Sequence, residues 1–238
     1  MTTFVLVHGA WHGAWAWYKV VPRLENAGHE VVAVDLPGHG TDTGPVAEAT
    51  LEDFVDRVDD AVRETDSRTV LVGHSMAGMV ITGVAERSPE AVDALVYLSA
   101  FLPESGESLL DYAQTDEESV VTRNFQLDEE AGLTTVADDA IDESFYADCS
   151  PEDVTLARSL LRPESLAAMS APVETTEDQF GSVRRVYVSC TADRAITPEA
   201  QERMYEALPC AEVHTLDTSH SPFLSAPGRT AEVLLETA

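Results

Sequence analysis

A serine at a tight turn is the residue of this sequence best placed for chemistry. An apolar run at 70–72 leads into a Gly-x-Ser turn at Ser75, and small and apolar residues follow at 77–85. This order of strand, turn and helix is typical of a nucleophilic serine, which projects its hydroxyl from a strained backbone. Such a turn closes only when its neighbours are small, and Gly73 and Ala77 meet that need. The following helix would direct free N–H groups toward an anion forming at Ser75.

A serine hydroxyl is a weak nucleophile, so Ser75 needs a base and an acid that orients the base. Where a serine stands on such a turn, the acid and then the histidine follow it along the chain. His220, in the loop after the last predicted strand, fits best among the seven histidines. Asp193 ends the preceding strand and is the expected acid. Asp217 is the alternative, but it is too close to His220 in sequence to brace the ring from behind, and Ser99 occupies the other strand end that could hold an acid.

Attack on a carbonyl also needs two preorganised N–H donors for the oxyanion. The amide of Met76, directly after the candidate nucleophile, is one expected donor. The other is the amide of Ala10 in the loop at 8–15, where small residues let a substrate approach the backbone. His8 and His12 in this loop are possible metal ligands, but no nearby acid or cysteine completes a set. We therefore expect His8 to be structural and no metal to bind.

Acidic residues greatly outnumber basic ones. The formal net charge is −29, from 43 acidic and 14 basic residues, and Lys19 is the only lysine. Nothing offers the basic face that nucleic acid requires, so nucleic acid is not an expected partner. Acidic groups at this density repel one another unless salt screens them, and molar salt shortens the screening length to roughly 3 Å. We expect adaptation to a salty cytoplasm, as in a halophilic archaeon; an acidic protein of a non-halophile is the alternative.

The chain length and the cysteine content further limit the class of protein that the sequence can form. A chain of 238 residues can form one α/β domain with a sizeable core and a cap. No apolar run is long enough to cross a bilayer, and the first residues lack the basic region of a signal peptide. Cys149, Cys190 and Cys210 are odd in number and widely spaced, which predicts neither a disulfide framework nor a metal site. A cytoplasmic protein with free thiols is expected.

Continuous apolar strands alternate with helices along most of the chain, which predicts a parallel sheet covered on both faces. The predicted strands are 4–7, 31–34, 70–72, 94–98, 183–188 and 212–216, and the main helices are 15–26, 51–64, 77–85, 198–208 and 226–237. The alternation stops at 104–180, where we expect acidic helical pieces, the clearest at 151–169, and no strong strand. The predicted organisation is a core of 1–103 and 181–238, with a helical cap inserted at 104–180.

Five stretches together resemble the plant methylesterase and hydroxynitrile lyase group of α/β-hydrolases, and the bacterial esterases similar to that group. The stretches are Phe4 to Trp15, Gly28 to Val31, Gly73-His74-Ser75, Tyr187-Val188 with Asp193 and Pro198, and Ser219-His220. The resemblance covers nearly the whole chain and is weakest in the cap. It implies the α/β-hydrolase fold, a triad of Ser75, Asp193 and His220, and oxyanion donors at Ala10 and Met76.

The lyases of this group carry a threonine and a lysine where this chain has Gly9 and Ser221. The resemblance therefore implies an esterase that cleaves a small carboxylic ester through an acyl-enzyme and needs no cofactor. We expect Gly9, Trp11 and Ser221 in the substrate pocket, with Gly9 leaving a gap beside Ser75. A lyase, a thioesterase or an amidase on the same triad remains an alternative, as does a ligand receptor that keeps the pocket; the sequence does not indicate an oligomeric state.

Overall fold

Nine strands are present in the computed structural model, which describes residues 1–238. They are β1 (Thr2–Val7), β2 (Glu30–Val34), β3 (Arg68–His74), β4 (Ala94–Leu98), β5 (Phe125–Asp128), β6 (Leu133–Val136), β7 (Glu164–Ser165), β8 (Arg184–Cys190) and β9 (Glu212–Leu216). Six of them form a sheet in the order β2-β1-β3-β4-β8-β9, and every neighbouring pair is parallel. The predicted parallel α/β sheet is confirmed.

Eleven α-helices accompany the strands. They are α1 (Val21–Asn26), α2 (Leu51–Arg63), α3 (Ala77–Arg87), α4 (Leu109–Thr115), α5 (Val120–Arg123), α6 (Ile141–Phe145), α7 (Pro151–Leu160), α8 (Leu166–Ser170), α9 (Pro198–Ala207), α10 (Pro222–Ser225) and α11 (Pro227–Glu236). None of them combines the length and the apolar character that a membrane span requires. The helix predicted at 15–26 is divided into a 3₁₀ turn at Ala14–Trp17 and α1. Pro22, which has no N–H to donate, lies in the first turn of α1 and not within a longer helix.

The central strands are buried because helices cover both faces of the sheet. All residues of β1 and β4 are buried, as are those of β3 after Arg68. On one face, α2 begins with a capping box in which Thr50 and Asp53 exchange hydrogen bonds, and its apolar side packs on α3. A Cβ at Gly83 would lie 2.7 Å from a methyl carbon of Val55, so this glycine sets the close approach of the two helices.

The segment 104–180 contains more than helices. Besides α4 to α8, it includes a three-stranded antiparallel sheet in the order β5-β6-β7. The expectation of no strong strand in this stretch overlooked this small sheet: β6 is a run of Leu, Thr, Thr and Val, which suits a pleated strand, and the turn before it contains Gly132 at a φ of 68°. The helix predicted at 151–169 stops at Leu160, because Pro163 follows shortly and the chain continues into β7.

Candidate active site

Ser75 lies on the turn between β3 and α3, at the carboxyl end of the sheet. Its φ angle is 55°, a left-handed conformation that is uncommon for residues other than glycine and that concentrates at functional turns. A Cβ at Gly73 would lie 2.7 Å from the carbonyl oxygen of Ala77, and one at Gly78 would overlap the carbonyl oxygen of Phe101. The small residues of the motif therefore allow α3 to begin directly against the strand ends.

His220 and Asp193 form a buried pair at the same end of the sheet. Nδ1 of His220 lies 2.8 Å from Oδ2 of Asp193, and both side chains are almost completely buried. The carboxylate accepts further hydrogen bonds from Ser99 Oγ, Gln201 Nε2 and the amides of Ala195 and Ile196. A carboxylate that is held by so many donors can fix the orientation of the imidazole.

The alternative acid, Asp217, is directed elsewhere. It is exposed, and its Oδ1 accepts a hydrogen bond from Thr191 Oγ1 at 3.0 Å. Ser99 was considered in the sequence only as a strand end without an acid, yet its hydroxyl donates to Asp193. Ser99 follows directly after β4 with a φ of 44°, and its amide donates to the carbonyl of Val188 in β8 at 2.8 Å. The structure thus brings Asp193 to His220 and adds Ser99 as a partner of the acid.

His74 contacts His220 from within the core. Its Nε2 donates to the main-chain carbonyl of His220 at 2.9 Å, and the centroids of the two rings are 4.5 Å apart. Burial lowers the pKa of His74 well below the ordinary value, because a charged ring would lose its hydration there. His74 is therefore a neutral donor that holds the main chain of the candidate base.

A cavity of about 500 Å³ opens beside Ser75. Residues of the core and of the segment 104–180 line it, including Ala10, Ser75, Met76, Phe145, Met169 and Ile196. Hydrophobic residues make up 17 of the 26 that line the cavity, so it suits an apolar group of a small molecule. The amides of Ala10 and Met76 donate no hydrogen bond within the protein, which leaves both N–H groups available next to Ser75.

The loop after β1 is fixed by buried histidines and by a strained residue. The amide of Leu36 donates to His8 Nε2 at 3.1 Å, and His8 Nδ1 donates to the carbonyl of Gly9 at 2.8 Å. Burial, helped by the charge of His39, lowers the pKa of His8 to about 3, so a structural, neutral ring is favoured. Trp11 lines the cavity and has a φ of 64°, which only surrounding contacts can maintain.

Those contacts come from residues of the segment 104–180. Nε1 of Trp11 donates to the carbonyl of Thr134 at 3.1 Å, and the main-chain carbonyl of Trp11 accepts from the amide of Arg162 at 2.9 Å. Oε2 of Glu164 lies 3.4 Å from the Trp11 amide and 3.1 Å from Nε2 of His39, and both side chains of the pair of Glu164 and His39 are completely buried. Burial alone would lower the pKa of His39, but the hydrogen bond and charge of Glu164 outweigh it and raise this pKa.

Two expected pocket residues, Gly9 and Ser221, do not line the cavity. The gap expected at Gly9 is absent, because a Cβ there would lie 2.8 Å from Ser75 Cβ and 2.9 Å from His74 Nδ1. The glycine is needed for the loop to approach the turn and does not provide room for substrate. Ser221 is completely buried, and its hydroxyl has no hydrogen-bond partner. Trp11 is the one residue of this expected set that faces the cavity.

The fold and this arrangement of residues define a class of protein. The family model described as the alpha/beta hydrolase family matches residues 4–233. The chain therefore belongs to the alpha/beta hydrolase family.

Several named proteins are similar to this chain over nearly its whole length. The chain is 36% identical to salicylic acid-binding protein 2 of Nicotiana tabacum, over 99% of this chain and 96% of that protein. It is 32% identical to methylesterase 9 of Arabidopsis thaliana, over 100% and 98% of the two chains. The crystal structure of polyneuridine aldehyde esterase superposes with a TM-score of 0.89 at 29% identity, covering 99% of this chain and 98% of the other. The resemblance to the plant methylesterase group is confirmed, and the prediction of a carboxylic-ester hydrolase agrees with these relatives.

Proposed function

We propose that this chain is a serine-dependent hydrolase of small carboxylic esters. Ser75 acts as the nucleophile, His220 as the base and Asp193 as the acid that orients His220. One observation carries the proposal: Ser75 and the unpaired amides of Ala10 and Met76 face one apolar cavity. The relatives named as esterases support the same reaction.

In the proposed reaction, Asp193 holds Nδ1 of His220, which leaves Nε2 to take a proton. Nε2 accepts the proton of Ser75 Oγ while Oγ bonds to the ester carbonyl carbon, and the amides of Ala10 and Met76 donate to the resulting oxyanion. The carbon–oxygen bond to the alcohol then breaks, and the alcohol leaves with the proton from His220. Water attacks the acyl-enzyme, again losing a proton to His220; the acid is released and Ser75 regains its hydrogen.

We further propose that 104–180 is the cap of a core formed by 1–103 and 181–238. Several cavity residues, among them Leu109, Phe145 and Met169, belong to this segment. The cap would therefore select the acyl or alcohol part of the substrate, while the core supplies the reacting groups.

The experiment is an initial-rate screen of chromogenic esters of increasing acyl length, together with the corresponding thioester and anilide. The wild type should hydrolyse the esters, and Ser75→Ala should retain less than about a thousandth of the turnover. Mass spectrometry after treatment with a fluorophosphonate should find one adduct, on the peptide that contains Ser75. A Ser75→Ala protein with substantial ester turnover would refute the proposal. A preference for the thioester or the anilide over the ester would indicate a thioesterase or an amidase instead.

Cyanohydrin cleavage is disfavoured because the residue next to His220 is uncharged. That reaction needs a cation to receive the departing cyanide, and the uncharged Ser221 cannot supply it. Arg123 and Arg194 form ion pairs with Glu118 and Glu143 on the exterior, and Arg203 on α9 is the one cation among the residues that line the cavity. The wild type should release no cyanide from mandelonitrile above the rate in buffer; release at a rate comparable to ester hydrolysis would replace the esterase by a lyase.

A further inference from the structure

A short stretch of the cap, residues 145–148, lies between the two loops of the proposed active site. We call it the bridging segment. The ring of Phe145 packs between them: its centroid is 5.6 Å from that of Trp11 in the loop after β1 and 5.9 Å from that of His220. The next residues add polar contacts, one to each loop.

The first polar contact runs from Tyr146 through His12 to Ala10. The hydroxyl of Tyr146 lies 2.7 Å from His12 Nε2, and His12 Nδ1 lies 2.7 Å from the carbonyl oxygen of Ala10. A carbonyl only accepts, so Nδ1 carries the hydrogen. Burial lowers the pKa of His12 to about 4, so the ring is neutral and Nε2 accepts from the tyrosine. The cap thus holds the carbonyl of Ala10, the residue whose amide is a proposed oxyanion donor.

The second polar contact runs from Asp148 to Ser219. Oδ2 of Asp148 accepts from the amide of Ser219 at 2.9 Å, and Oδ1 accepts from the hydroxyl of Ser219. Ser219 is buried and directly precedes His220. Hydrogen bonds to a charged acceptor are stronger than those between neutral groups, so this pair holds the loop of the base firmly.

We propose that the bridging segment positions both halves of the catalytic site, Tyr146 through His12 for the Ala10 amide and Asp148 through Ser219 for His220. The inference rests on the proposed function, because it assigns these roles relative to Ser75 chemistry. It makes Tyr146, His12 and Asp148 positioning residues, none of which touches the reacting atoms. The cap in this scheme is a fixed part of the catalytic machinery as well as a wall of the cavity.

The first test is Tyr146→Phe, which keeps the ring and removes only the hydroxyl. Since a displacement of about 1 Å can cost a hundredfold in rate, a partly released Ala10 amide should lower kcat by about tenfold to a hundredfold, with KM within about twofold of the wild type. The affinity for a trifluoromethyl ketone, which forms an oxyanion on reaction with Ser75, should fall by the same factor. Binding of the product acid should not change.

Tyr18→Phe is the matched control. Its hydroxyl donates to Asp153 of the cap at 2.8 Å, and neither residue lines the cavity. This variant loses a tyrosine hydrogen bond between core and cap and should keep the kcat of the wild type. A double-mutant cycle with His12→Phe adds a second check: if the two residues act as one relay, the double variant should lose no more activity than the worse single variant.

The second test is Asp148→Asn, in which an amide NH₂ replaces one of the two accepting oxygens. We expect a fall in kcat of about tenfold and slower labelling of Ser75 by a fluorophosphonate, because a small displacement of the base slows both reactions. Asp142→Asn is its control, since Asp142 is also exposed in the cap but pairs with Arg158. Thermal unfolding of all variants in molar salt shows that each is folded under the conditions of the assay.

Each outcome decides the proposal. Loss of kcat in Tyr146→Phe and Asp148→Asn, with unchanged KM and unaffected controls, supports it. The part of the proposal that concerns Tyr146 is overturned if Tyr146→Phe keeps the kcat of the wild type, if the losses in the cycle with His12 are additive, or if Tyr18→Phe loses as much activity. The part that concerns Asp148 is overturned if Asp148→Asn keeps the kcat of the wild type or if Asp142→Asn loses as much activity. Ser75→Ala separates this result from the proposed function: if that variant is inactive while the positioning variants are fully active, only the inference about the bridging segment fails.

Discussion

Replacing Gly9 by alanine tests how closely the loop after β1 must approach Ser75, the proposed nucleophile. The added Cβ would lie 2.8 Å from Ser75 Cβ, 2.9 Å from His74 Nδ1 and 3.2 Å from the carbonyl oxygen of His74. Comfortable contacts between carbon atoms are about 3.5–4.0 Å, so the loop must retreat by roughly 1 Å. Gly9 does not adopt a left-handed conformation, and the cost is therefore steric.

A retreat of this size displaces the neighbouring amide of Ala10 from the oxyanion. Misplacement by about 1 Å is associated with losses of about a hundredfold, so kcat/KM of Gly9→Ala should fall by that factor. The fall corresponds to about 2.7 kcal/mol of transition-state stabilisation. The fold should survive, because overpacking one methyl group typically costs about 1–3 kcal/mol.

Initial rates with a short-chain chromogenic ester, normalised by fluorophosphonate titration of active sites, measure the effect. Gly228→Ala is the matched control, since a Cβ there has no atom within 4 Å and the backbone is not left-handed. If Gly9→Ala keeps the kcat/KM of the wild type while remaining folded, the close approach of the loop to Ser75 is not required, and the reasoning is refuted.

Three further predictions concern stability. We propose that the acidic surface is an adaptation to salt: with a net charge of −29, the melting temperature should rise steeply toward molar potassium chloride, and a flat or falling series would contradict this. The buried pair of His39 and Glu164 raises the pKa of His39, so its contribution is complete below the ordinary histidine pKa of about 6.5 and disappears as the pH rises through the raised value. Urea unfolding of wild type and His39→Gln should therefore differ most in mild acid and converge in alkali; a difference that grows with pH would show the opposite linkage. Ser99→Ala removes a donor from the buried Asp193 carboxylate and should lower the free energy of unfolding by about 1.5–3 kcal/mol; an unchanged urea midpoint would show that the bond contributes nothing.

Local patterns in the sequence were sufficient for the sheet and for the turn at Ser75. Short runs of apolar residues indicated the strands, and all six predicted strands lie in the central sheet, although the edge strands β2 and β9 are more exposed than the inner ones. The turn at Ser75 is specified by a motif of a few residues, so Gly73 and Ala77 were sufficient to predict it. Asp193 and His220 were predictable because parallel strands place their carboxyl ends together, so strand order alone brings these loops to one edge.

Contacts between the cap and the core could not be read in the same way. Tyr146 and His12 are 134 positions apart, and nothing near either residue indicates the other. Trp11 needs a left-handed backbone, for which tryptophan has no preference, so its conformation is set by Thr134, Arg162 and the surrounding packing. The role of Gly9 was misjudged for a related reason: a glycine looks like free space in a sequence, while its neighbours in three dimensions decide whether space exists.

The order of strands in the sheet has a consequence for how the chain folds during synthesis. The inner strand β4 pairs with β8, and the two strand ends are separated by the whole cap, as the 94 positions between Ser99 and Asp193 show. At about 5–20 residues per second, the ribosome needs roughly 5–20 s to supply that partner, and in this interval the apolar edge of β4 is open to other chains. The segment made in the interval is rich in carboxylates, which suppress association more effectively than other charges. We therefore expect the carboxylates of residues 104–180 to keep the incomplete sheet soluble until β8 is available to pair with β4.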